Sequence, residues 1–255
     1  MPDSNQLKDD IVHAPHSPLT QYYQTEEERR GWLRKMFDST ASDYDRIEAI
    51  LGFGTGPWYR RQALLRAGMK PGMQVVDVGV GTGLVASQAA AILGDPTCVT
   101  GVDPSTGMMQ SAKVPAGVKL VEGRAEQIPF PDNSFDFLSM GYAMRHISDL
   151  SVAFAEFHRV LKPGGRLCIL EITTPEKPIP KFFVKTYLRA IVPALAWLVV
   201  RNGKTSELWR YYWDSIEACA KPASVMHTLE GAGFTKVDRH LELGMFSEYR
   251  AIKEA

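Results

Sequence analysis

Charge of one sign is what this sequence most lacks: 29 Lys and Arg stand against 29 Asp and Glu in 255 residues. Such a chain has no bulk field to draw it onto nucleic acid. No Lys/Arg cluster with interleaved aromatics supplies a local one, so nucleic acid is not an expected partner. Cysteine is scarce too. Cys98, Cys168 and Cys219 are far apart and form no paired ligand spacing, so neither a metal site nor a disulfide is expected. They read as small core residues in a reducing compartment, which points to the cytoplasm. Residues 1–24 mix Asp, Lys, His, Pro and Ser with no apolar signal core. They are expected to form a mobile arm ahead of one domain over 25–255.

Long hydrophobic runs are absent but for one. Phe182 to Val200 reads FFVKTYLRAIVPALAWLVV, almost the length of a spanning helix. Lys185, Arg189 and Pro193 interrupt it, and two charges in a bilayer core are costly. The expectation is a half-buried helix that covers an acceptor pocket and touches lipid peripherally without crossing it.

The middle of the chain alternates. Short β-branched runs at Gln74–Gly79, Cys98–Val102, Val118–Glu122, Phe135–Met140 and Arg166–Ile172 read as buried strands. Leu84–Leu93, Thr106–Lys113 and Leu150–Leu161 between them read as helices. That pattern predicts an α/β fold, a doubly wound and mostly parallel sheet. Ahead of it, Glu26–Met36 and a stretch ending near Ala67 read as a helical cover. After it come a helix from Ala223, a Gly231-Ala232-Gly233 break, and strands over 235–242 and 246–252.

The stretch Asp77-Val-Gly79-Val-Gly81-Thr82-Gly83 closes the first strand. Glycines at such a turn let a ligand approach the backbone, and the following helix offers free N–H groups. Gly81-x-Gly83-x-x-Ala86 also fits the loose dinucleotide pattern, and Asp103 stands where a ribose-binding acid belongs. Asp77 favours a different ligand. An acid before the first glycine repels phosphate but suits the ammonium of S-adenosyl-L-methionine, whose carboxylate can meet the N–H groups.

Further segments complete a larger pattern: Gly101-Val-Asp103, Ala125-Glu-Gln-Ile-Pro-Phe-Pro-Asp-Asn-Ser-Phe-Asp136 and Arg159-Val-Leu-Lys-Pro-Gly-Gly-Arg-Leu167. With the glycine loop they resemble class I S-adenosylmethionine-dependent methyltransferases. Phe37-Asp38-Ser39, Tyr44-Asp45, Trp58 near Arg60-Arg61, Arg145-His146-Ile147-Ser148-Asp149, Glu171 and Tyr212-x-x-Ser215-Ile216 narrow the match. They are similar to the ubiquinone/menaquinone C-methyltransferase family, over roughly residues 34 to 252. The resemblance implies seven strands with the last antiparallel, a lid of helices over about 175–215, and S-adenosylmethionine as methyl donor. It places the cofactor on Asp77, Gly79, Gly81, Thr82, Gly83, Asp103, Arg124, Ala125 and Gly141. This chain departs from the pattern at Leu84, where the family has Asp, and at Arg124, where it has Asp or Asn. A guanidinium only donates, so Arg124 either stacks on the adenine or points away.

A phenolic acceptor calls for a fixed cation and a base. Arg145, which the family pattern retains, suits the first role, and His146, which titrates near neutrality, the second, with Tyr44 facing the cofactor from the helical cover. His146 stands where the family has Asn; its bland alternative is a place in the cap of the helix after Ser148-Asp149. His158 and His227 read as surface or core residues. Trp197, Trp209, Tyr211, Tyr212 and Trp213 either line an apolar pocket or pack a core. The expected function is C-methylation of a quinol-type or other phenolic acceptor, apolar or prenylated, by a protein that can pair as a homodimer. The rivals are an N- or O-methyltransferase of a phospholipid head group or secondary metabolite, and a non-catalytic binding module on the same scaffold.

Overall fold

The computed structural model describes residues 13–51, 54–200 and 203–254. Its seven strands form one sheet in the order β3-β2-β1-β4-β5-β7-β6. β1 (Val75–Val78), β2 (Val99–Asp103), β3 (Lys119–Glu122), β4 (Phe135–Gly141) and β5 (Leu161–Ile172) run parallel. β7 (Phe246–Lys253) lies antiparallel between β5 and β6 (Phe234–Glu242). The doubly wound sheet with a reversed last strand is thus as the sequence implied.

Alternation along the strands makes two cores. Val76, Val78, Leu138 and Met140 face α5 (Leu150–Val160) and α9 (Pro222–Gly231). Val75, Phe137, Cys168 and Leu170 face α2 (Gly56–Arg66) and α3 (Leu84–Leu93). Cys168 is a fully buried free thiol, in line with its reading as a core residue. Because β1 pairs with β2 on one side and β4 on the other, the strand order reverses there. Open α/β sheets bind ligands at the carboxyl ends of the strands at such a point.

Helices roof that end. They are α1 (Glu26–Leu51), α6 (Pro178–Thr186), a π-turn over Tyr187–Ile191, α7 (Val192–Val200) and α8 (Gly203–Ala218). Leu188, Val192 and Ala196 pack on Met36, Trp209, Tyr212 and Trp213, so cover and lid share one core. Phe182 and Phe183, in contrast, lie exposed on α6.

Three boundaries differ from expectation. Glu26–Met36 is only the first part of α1, which continues to Leu51. β5 begins at Leu161 and absorbs the Lys162-Pro163-Gly164-Gly165 turn as an irregularity, with Gly164 at φ 77°. The expected arm lies partly outside the described residues. Its remainder, from His13, is packed on the domain: the Leu150 N–H donates to the His13 carbonyl at 2.6 Å and the Ala220 N–H to that of Pro15 at 2.7 Å. Tyr22 and Tyr23 are the cause, since each buries a ring against Trp32 or Tyr211.

Candidate active site

A cavity of about 310 Å³ opens where β1 and β4 end. Gly79, Gly81, Thr82, Asp103, Arg124, Ala125 and Gly141 all line it, as assigned from the motifs. Gly79 sits at φ 72°, and a Cβ there would come within 2.7 Å of Ala143 Cβ. Glycine therefore holds the wall open. Gly83, also assigned to the cofactor, does not line the cavity. It starts α3 at φ 88°, where a Cβ would lie 2.2 Å from Val114. Its part is to let loop and helix pack.

Asp103 ends β2 on the cavity wall. Its Oδ2 accepts from the Gly81 N–H and its Oδ1 from the Ser105 N–H, both at 2.8 Å, leaving further lone pairs free. Burial pushes its carboxyl up to about 6, against the pull of the Ser105 and Gly81 N–H groups. Nearby, Asp38 accepts from Ser105 Oγ at 2.5 Å and from the Gly107 N–H at 3.1 Å, tying α1 to α4 (Thr106–Gln110). A carboxylate beside a glycine loop, with other acids close by, fits a nucleoside with an amino-acid arm and opposes a pyrophosphate. The residues present therefore fit S-adenosylmethionine.

Asp77 is a correction. It does not line the cavity but lies 1% exposed, its Oδ1 accepting from Ser139 Oγ at 2.7 Å. Burial pushes its carboxyl up to about 7. On β1 it alternates with Val76 and Val78, so its side chain points with Val75 to the face covered by α3, where its Oδ2 has no side-chain partner. It braces β1 against β4 and supports the glycine turn from below. Arg124 is half-exposed on the wall, within 3.5 Å of Glu126 and Ser148.

The other end of the cavity is aromatic: Phe37 and Tyr44 from α1, Tyr142 after β4, Tyr212 from α8. The Tyr44 and Tyr212 hydroxyls share a hydrogen bond, and burial beside Tyr212 holds the Tyr44 phenol well above its usual range. His146 completes this wall. Its Nδ1 meets the Tyr211 hydroxyl at 3.2 Å, while Nε2 is buried with no protein partner. Burial first, then the charges of Arg145 and Arg29, hold the imidazole well below its usual range. It is therefore neutral, where the sequence suggested titration near neutrality.

Arg145 is the second correction. It is fully buried and absent from the cavity wall, because Glu171 draws it inward: Nη1 donates to Glu171 Oε1 at 2.5 Å and Nε to Ser215 Oγ at 3.1 Å. Arg29, buried on α1, donates to the carbonyls of Arg145 and Ile147 and fixes the turn that presents His146.

Sequence reasoning passed over Tyr142, Ser105 and the cavity-lining role of Arg60. Only Arg60 carried a signal, its place beside Trp58. Tyr142, at φ 59°, is one of few non-glycine residues in the left-handed region, a strain that accumulates at functional sites.

A glycine cradle, a ribose-type acid after β2 and a seven-stranded sheet with reversed β7 define a class I S-adenosylmethionine-dependent methyltransferase. The chain belongs to the ubiE/COQ5 methyltransferase family, whose model matches residues 23–253. It is 31% identical to the demethylmenaquinone methyltransferase of Symbiobacterium thermophilum, over 84% of this chain and 89% of that one. It is 30% identical to the ubiquinone/menaquinone biosynthesis C-methyltransferase UbiE of Shewanella halifaxensis, over 83% and 86%. Among solved structures, an S-adenosylmethionine-dependent methyltransferase from Thermotoga maritima superposes with a TM-score of 0.61 at 22% identity, covering 86% of this chain and 99% of that one. At that identity the likeness speaks for the fold.

Proposed function

We propose that this enzyme methylates a ring carbon of a quinol-type phenolic acceptor carrying an apolar tail. The observation that carries the reading is the aromatic wall of the cavity, where Phe37 and Tyr212 pack on a neutral His146 whose Nε2 lacks a partner and Tyr44 bonds to Tyr212. The names of the relatives support the same ring chemistry.

When bound, S-adenosylmethionine supplies an electrophilic methyl group on a sulfonium. Gly79, Gly81 and Thr82 hold its amino-acid end, and Asp103 accepts from its ribose hydroxyls. A phenol has a pKa of about 10, so at pH 7 it is mostly neutral and weakly nucleophilic. His146 Nε2 takes the hydroxyl proton, which moves charge onto the ring carbon. Once that carbon carries the methyl group its C–H proton leaves to solvent, and the oxygen regains the proton from His146. Phe37, Tyr44 and Tyr212 sandwich the ring and exclude water, so alignment replaces encounter.

The reading extends to the lid. Ile179, Phe182, Phe183, Trp197 and Leu198 are exposed along α6 and α7, while Lys181 and Lys185, on the other side of α6, pair with Glu217 of α8. An exposed apolar stripe suits peripheral contact with a lipid surface that holds the acceptor's tail. Among the described residues no helix is long and apolar enough to cross a membrane.

The test is incubation with methyl-labelled cofactor and micellar demethylmenaquinol. Label on a ring carbon supports the reading. Label only on a phosphoethanolamine nitrogen or a hydroxyl oxygen, offered in parallel, moves the enzyme to the rival class.

A further inference from the structure

With Arg145 withdrawn behind the wall, charge on the acceptor oxygen needs another counterpart. Arg60 meets the requirements. It arrives from α2, is 3% exposed, and still lines the cavity. One of its nitrogens is committed, since Nη2 donates to Glu48 at 2.6 Å. Nε and Nη1 are shielded from water and have no protein partner. Buried guanidinium donors are almost always satisfied, so two without a partner on a residue that lines a cavity mark a place for a ligand oxygen.

The surroundings hold this cation in place. Its Cζ lies 5.5 Å from the centre of the Tyr142 ring, which the left-handed backbone at Tyr142 turns toward it. Glu48 fixes the far side. A Cβ at Gly56 would come within 2.5 Å of Nη1, so Gly56 leaves the room the pair occupies. The titratable groups facing Arg60 are thus Glu48, Tyr142 and, within electrostatic reach, Tyr44 and Asp77. Both phenols are neutral at physiological pH, because burial raises them further. The position carries a fixed cation with donors to spare, next to aromatic surfaces that accept a ring.

We propose that Arg60 is the oxyanion site for the methyl acceptor: its free guanidinium N–H groups bind the ring oxygen as that oxygen loses its proton. The ligand class is a phenol or enol that ionises on the ring to be alkylated. In this step the O–H bond breaks, the proton passes to His146 Nε2, and the electron pair stays on oxygen, delocalised into the ring and balanced by Arg60. The inference rests on the acceptor being phenolic, as proposed above, but does not depend on which phenol it is.

The test separates the two. 4-Nitrophenol, whose colour reports ionisation, is titrated into the enzyme saturated with S-adenosylhomocysteine. The wild-type site should ionise the bound probe more than water does at the same pH, and Arg60→Met should abolish the difference. Arg60→Met strands Glu48 and can misfold, so Glu48→Gln/Arg60→Met is measured beside it, with S-adenosylhomocysteine affinity within about threefold of wild type as the sign of an intact domain. Turnover of the quinol should fall at least a hundredfold in both variants, and Arg60→Lys should recover part of it. A probe no more ionised in the wild-type site than in water overturns the oxyanion site, whichever acceptor the enzyme uses. So does a folded double variant that retains quinol turnover within threefold. If instead the probe behaves as expected and no quinol is methylated, the oxyanion site stands and the choice of acceptor is wrong.

Discussion

Arg145 holds its guanidinium 4.2 Å from the centre of the Tyr212 ring. Tyr212 faces the cavity and Arg145 does not, so the cation acts on the site through the ring it supports. Its partner Glu171 is equally buried, and one Glu171 oxygen has no protein partner besides.

Arg145→Met should therefore behave first as a stability variant. It leaves Glu171 as a lone buried carboxylate, which costs about 3–5 kcal/mol. For a domain of this size that lowers Tm by on the order of 10 °C. Arg145→Met/Glu171→Gln removes both charges and should restore most of the Tm together with much of the turnover. Calorimetry and a single-turnover assay on the pair check this. A double variant that is stable, binds cofactor and is inactive would show that Arg145 reaches the acceptor after all.

What the sequence disclosed follows the range of the interactions involved. Gly79, Gly81 and Asp103 were legible because a strand, a turn and a helix start within one short segment dictate their positions. Arg145 was given the wrong place, because Glu171 and Ser215, distant in sequence, draw it inward. Asp77 failed for a simpler reason: an acid beside a glycine loop reads as a ligand contact, and nothing local says it points under the loop. Arg60 and Tyr142 meet across the fold, α2 against the end of β4. No local pattern marks that contact.

Cofactor binding should weaken in acid. Burial raises Asp103 to about 6 from the usual carboxylate value of 3.8. Above pH 6 it is ionised and accepts from ribose hydroxyls; below pH 6 it is protonated in the free enzyme. Affinity should accordingly be lost as pH falls through 6, by about tenfold per pH unit at the limit. Asp103→Asn should bind more weakly by about 1.5–3 kcal/mol at pH 7.5 and lose the slope. Calorimetric titration of S-adenosylhomocysteine from pH 5 to 8 measures both. An unchanged slope in the variant would place the linked proton elsewhere.

The exposed lid face predicts lipid binding. Phosphatidylcholine vesicles should carry the protein in flotation, since the stripe is apolar and Lys181 and Lys185 are paired with Glu217. Phe182→Ser/Phe183→Ser removes two rings that are 65% and 66% exposed, so the domain should keep its Tm while flotation falls. Turnover of a short-chain, water-soluble quinol should be untouched. If this face is instead the seam of a homodimer, the wild type sediments as a dimer, the variant as a monomer, and neither floats.

The sharpest test concerns His146. An ordinary histidine used as base loses activity as pH falls below about 6.5. This one is buried beside Arg145 and Arg29, which hold it neutral well below that value. With cofactor saturating, so that Asp103 stays committed, kcat should remain level from pH 8 past 6.5 and decline only in stronger acid. Tyr211 fixes the ring through Nδ1, and that contact survives in His146→Asn, whose amide can meet the same hydroxyl. What the variant loses is the capacity to take a proton, worth on the order of a hundredfold. Its residual rate then depends on acceptor already ionised in solution. For a phenol with a pKa of about 10, that fraction rises tenfold per pH unit through the neutral range. The two profiles should therefore converge: level for the wild type, climbing for His146→Asn, nearest at the most alkaline pH the protein tolerates. A variant within threefold of wild type with the same level profile would remove His146 from the proton's path. Tyr44, which faces the same cavity, would be next to test.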